Sequence, residues 1–151
     1  MKKALSFVAA VAVSLVGAAA YADTFNLHHG QRTPAAEAKV DFGKDSNGNY
    51  KASIDAKYLA RPQDLGGGMN TYAVWIEPGQ GRAPQLVGTL TPDKNKEAKL
   101  VIMPPFPSFH MIITAESSST PTQPSNDVVL RGHVGNQPQN QQGGNNNSGG
   151  Q

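Results

Sequence analysis

Asn49-Tyr50-Lys51-Ala52-Ser53-Ile54-Asp55-Ala56-Lys57-Tyr58 alternates without a break. Tyr50, Ala52, Ile54, Ala56 and Tyr58 fall on one side of an extended chain, and Lys51, Ser53, Asp55 and Lys57 on the other. Successive side chains of a strand point to opposite faces, so period two with a charged face predicts a half-buried β-strand. Just upstream, Ala38, Val40 and Phe42 alternate with Lys39 and Asp41. Lys44-Asp45-Ser46-Asn47-Gly48-Asn49 separates the two runs, and Asn-Gly favours a hairpin because both residues tolerate positive φ. Residues 37–43 and 49–58 are therefore expected to pair antiparallel.

The same reading extends downstream. Thr71 to Glu77 (TYAVWIE) is apolar on both faces, as in a central strand covered on each side. Gln85 to Thr91, Ala98 to Ile102, Phe109 to Glu116 and Asp127 to Val134 follow, separated by Pro-, Gly- and Ser-rich turns. Outside the extreme N-terminus no window carries a helical apolar stripe. Seven short strands in about 110 residues predict an all-β fold, an immunoglobulin-like antiparallel β-sandwich over residues 23–134. Trp75 is expected to fill the space between the two sheets. The terminal strand 127–134 carries Arg131 and Gly132; if it lies at a sheet edge, it can pair with a partner's strand.

The two ends read differently. Met1-Lys2-Lys3 is a short positive start, Ala4 to Ala20 is a run of apolar and small residues, and Ala20-Tyr21-Ala22 places small side chains where a signal peptidase reads. Residues 1–22 are thus expected to be a cleaved secretory signal peptide, with no membrane span after cleavage. From Gly135 the chain reads GNQPQNQQGGNNNSGGQ. With almost no apolar surface to bury, residues 135–151 are expected to be a disordered tail.

Composition narrows the classes of function. The chain has 151 residues and no cysteine, with 13 Lys+Arg against 11 Asp+Glu. The excess of two is Lys2 and Lys3, so the region after the signal is neutral. A neutral domain without a basic run has no broad pull on nucleic acid, which is excluded as a partner. An exported chain without thiols relies on its apolar core and fits a bacterial envelope or extracellular setting.

Tyr72-Ala73-Val74-Trp75-Ile76, a Gly/Pro turn and then Leu86-Val87-Gly88-Thr89-Leu90 resemble the strand pattern of the C-terminal domains of anti-sigma-K factor type regulators. Phe109 to Glu116, Pro121-Thr122, Pro124-Ser125 and Val129-Leu130-Arg131-Gly132 are similar to the end of that pattern, so the likeness covers roughly residues 70–133. It implies an extracytoplasmic β-sandwich related to envelope regulators. The chain departs from the family in having an export signal instead of a cytoplasmic helical domain, and Ser117-Ser118-Ser119 where a Gly-Gly pair is common. The resemblance therefore implies fold and compartment, not sigma-factor inhibition.

Few residues suggest chemistry. His28 and His29 are adjacent, so on a strand they face opposite ways; His110 and His133 fall on different strands. No pair has the spacing of a zinc site and there are no thiolates, so no metal site is expected. Asp45-Ser46-Asn47-Gly48-Asn49 resembles the start of a calcium loop, but its twelfth position is Ala56 instead of an acid, and turn chemistry accounts for the same residues. Gly66-Gly67-Gly68 has no Lys-Ser/Thr after it and reads as a flexible connection. Asp55, Glu77, Glu116 and Asp127 lie on different strands, and no motif singles out a nucleophile, base or cofactor loop. The expectation is a non-catalytic exported protein with a binding or structural role toward an envelope or extracellular protein or glycan. An envelope sensory or regulatory module, and a carbohydrate-active or sugar-binding domain, are the alternatives.

Overall fold

The computed structural model describes residues 22–79 and 81–136. Most of the expected signal peptide, and the expected tail beyond Asn136, lie outside these residues. The elements are β1 (Ala22–His29), β2 (Glu37–Lys44), β3 (Tyr50–Lys57), a short 3-10 turn (Pro62–Leu65), β4 (Thr71–Glu77), β5 (Gln85–Leu90), β6 (Ala98–Ile102), β7 (Ser108–Glu116) and β8 (Val128–Gly135). Every ladder is antiparallel and the spatial order is β5-β4-β7-β8-β1-β2-β3-β6.

The fold is all-β, as expected. It is one eight-stranded sheet nearly closed into a barrel, with β5 and β6 as its two free edges. The additional strand is β1, whose only fully buried side chain is Leu27. Its residues 22–27 pair with β2, and His28 and His29 pair with β8. β1 thus turns the corner between the two halves of the sheet, as strands do where sheets change direction.

The β2–β3 hairpin behaves as its alternation requires. Ala38, Val40, Phe42, Ala52, Ile54 and Ala56 point into the core. Val40 stands opposite Ile54, and Asp41 opposite Ser53 on the outer face. Tyr58 breaks the expected pattern: it lies past the strand end with φ 54° and is 60% exposed. The turn there lets Leu59 take the buried position instead, its N–H donating to the Lys96 carbonyl.

β4 is buried from Tyr72 to Ile76, between β5 and β7. Tyr72, Val74 and Ile76 join the common core, where the Tyr72 hydroxyl donates to the Ala60 carbonyl at 2.8 Å. Trp75 is buried, but not where expected. Strand parity puts it on the face opposite that core, where its Nε1 donates to Thr114 Oγ1 at 2.8 Å. Thr114 donates in turn to Glu116, and Glu116 accepts the Ser125 N–H, so the loop after β7 is pinned to that outer face.

The terminal strand is not an edge. β8 lies between β7 and β1, and the free edges fall to β5 and β6. β1 covers the second side of β8, and the sequence pattern did not reveal that strand.

Candidate functional site

β5 and β6 are consecutive in the chain and close together in space, yet no ladder joins them. Their connection is a tight turn. The Asp93 N–H donates to the Glu97 carbonyl, and Asp93 Oδ1 accepts the N–H groups of Asn95 and Glu97. Further along, the strands approach at Gly88, where an added Cβ would lie 2.8 Å from Leu100 Cδ2. The missing side chain at Gly88 is therefore what lets Leu100 pack across the seam.

Beyond that point the seam opens. The β4–β5 register shifts between Val74 and Trp75, so that Val74 faces Gly88, Trp75 faces Leu86 and Val87 is the extra residue. A bulge bends its strand. β6 ends at Ile102, and Pro104 and Pro105 follow, neither with an N–H to extend a ladder. The result is a groove of about 320 Å³ between Gln85 and Val87 on one side and Val101, Met103, Pro104 and Pro105 on the other. Among the described residues the exposed large apolar side chains are Tyr58, Leu86 (40% exposed), Val101 (56%) and Met103 (53%). Three of these four lie on, or one residue past, the two free edges. A larger depression of about 440 Å³ sits by Asp23, Phe25, Phe42, Lys44 and Tyr50. Its rings are already engaged with one another: Phe42 stacks on Tyr50 at 5.5 Å and meets Phe25 and Phe109 edge-on.

Asp45 Oδ1 accepts the N–H groups of Asn47 and Asn49, both at 2.9 Å, so this carboxylate closes a turn. Gly66, Gly67 and Gly68 all have positive φ in the loop after the 3-10 turn. Asp55 lies 3.5 Å from Lys99 Nζ, and Asp127 pairs with Arg32, whose guanidinium also donates to the Leu65 carbonyl. His28 stands opposite Arg131 and His29 opposite Leu130. His110 and His133, remote in sequence, are direct cross-strand neighbours of β7 and β8. Glu77 is opposite His110 on the other side. Among the described residues no three His, Asp or Glu side chains converge as metal ligands, and no helix is long and apolar enough to cross a membrane.

The seam was not singled out in the sequence. Val101 was a visible signal, since it shares the outward parity of Lys99. Leu86 was not, because the bulge at Val87 shifts the parity of the residues before it. No known protein family, characterised protein or solved structure matches the chain.

Proposed function

We propose that this is a non-catalytic, exported bacterial envelope protein whose β-domain binds an extended segment of a protein partner at the seam between β5 and β6. The observation that carries this is that exposed Leu86, Val101 and Met103 lie on, or one residue past, the two free strand edges, beside the groove lined by Val87, Val101 and Met103. Exposed edges recruit strands, and apolar side chains beside them reward the recruitment. Fully burying one such side chain is worth about 1.5–3 kcal/mol, so half-exposed ones gain about 1 kcal/mol each when covered. Export to the periplasm or beyond is supported by Lys2-Lys3, the apolar run and Ala20-Tyr21-Ala22.

We further read the nearly closed barrel as an immunoglobulin-like sandwich whose two layers meet at β1. The second functional reading is a regulatory module of the envelope. It is suggested by the likeness to anti-sigma-K factor type domains; residues 70–133 supply β4, β5, β6, β7 and most of β8, of which β5, β4, β7 and β8 lie side by side while β6 lies at the other free edge, beside β3.

The test is capture from envelope extract with the unaltered chain and with Leu86→Lys/Val101→Lys. Charge on an exposed edge should leave the fold intact and abolish capture. Equal capture of the same partners by both proteins would refute the seam as the binding surface.

A further inference from the structure

His110 and His133 stand directly opposite each other on β7 and β8. His110 is exposed and His133 half-buried, with ring centroids 5.0 Å apart and planes at 76°. Two imidazoles that bind one cation at about 2.0 Å, at an angle between square and tetrahedral, have centroids about 4.5–5 Å apart. The observed spacing falls in that range, and is equally that of two rings packed edge-on.

The environment of His133 points the same way. Its Nε2 shares a 3.0 Å hydrogen bond with Ser108 Oγ. Metal-binding histidines ordinarily have such a partner on the second nitrogen, fixing ring and tautomer. Its Nδ1 is shielded from solvent and has no hydrogen-bond partner. An orphaned buried nitrogen is costly, and an ion or water is a common resolution. Burial, and then the nearness of His110, hold the His133 imidazole below the ordinary histidine value, while the backbone at Asn136 and Gly135 works the other way. Glu77, opposite His110, adds negative charge to the row; Arg131, two residues before His133 on the same face, opposes it.

We propose that His110 and His133 form a two-imidazole site for a borderline divalent cation, with Cu²⁺ held most tightly. Two protein ligands leave the remaining positions to water. Cu²⁺ leads because it heads the affinity order of first-row divalent ions at nitrogen ligands.

Calorimetric titration of the full chain with Cu²⁺ tests this, with spectroscopic detection of the coordinated nitrogens. One Cu²⁺ per chain is expected, bound through two imidazoles. His110→Gln should weaken binding at least tenfold with an unchanged circular dichroism spectrum, since the side chain is exposed. His133→Gln should do the same, and His28→Gln/His29→Gln should bind like the unaltered protein. No saturable binding below millimolar Cu²⁺, full affinity in His110→Gln, or loss confined to the His28/His29 variant would each overturn the site.

Discussion

Replacing Gly30 with alanine should damage this fold far more than a methyl on an open turn. Gly30 follows β1 at the corner of the barrel, where its N–H donates to the Val129 carbonyl at 2.8 Å. A Cβ there would stand 1.9 Å from the Val128 carbonyl oxygen. That is about 1.5 Å short of an ordinary contact, and the obstacle is backbone that no rotamer change can move. The strand must shift, carrying Val129 and Leu130 out of the core and straining the bonds that Gly30 and Thr33 make to the Val129 carbonyl. Overpacking costs about 1–3 kcal/mol and each weakened hydrogen bond about 1 kcal/mol, so about 3 kcal/mol is expected. For a domain of this size that lowers Tm by roughly 10–15 °C. Thermal and urea melts followed by circular dichroism provide the assay. Gly48→Ala is the control: its Cβ would meet nothing within 4 Å, and only the left-handed φ of 83° opposes it. That strain costs about 1–2 kcal/mol. A Gly30→Ala protein no less stable than Gly48→Ala would refute the close β1–β8 crossing.

Burial pushes the Tyr72 hydroxyl up to about 12. The unfolded chain then ionises first, so the stability this group contributes is intact below about pH 10 and is lost as pH rises toward 12. Tyr72→Phe should flatten that decline and, by losing the bond to the Ala60 carbonyl, cost about 1 kcal/mol at neutral pH; an unchanged alkaline profile would contradict the burial. Trp75→Ala should cost about 3–5 kcal/mol by urea titration even though Trp75 lies outside the common core. Trp75→Phe should cost clearly less, because it keeps most of the buried ring area and loses chiefly the hydrogen bond to Thr114.

What could be read from the sequence depended on which faces meet water. β2 and β3 were legible because Lys39, Asp41, Lys51 and Lys57 mark a solvated face opposite Val40, Phe42 and Ile54. β4 was legible as central because it has no solvated face. β1 was missed because only Phe25 and Leu27 alternate before the strand ends in two histidines, and its place is set by partners on both sides. Trp75 was read as buried correctly but on the wrong face, since a strand apolar on both sides does not show which side is the core. The His110–His133 pair depends on the register between β7 and β8, which no local spacing encodes. The seam depends on a bulge, which appears in the sequence only as Val87 beside Gly88.

The most direct test of the binding seam places a photo-crosslinking residue at Leu86, Val101 or Met103, one at a time, and at Thr24 on the distant β1 as control. Illumination in envelope extract should yield one shared adduct from the three seam positions and none from Thr24. The same adducts from Thr24, or none from any seam position, would contradict the account.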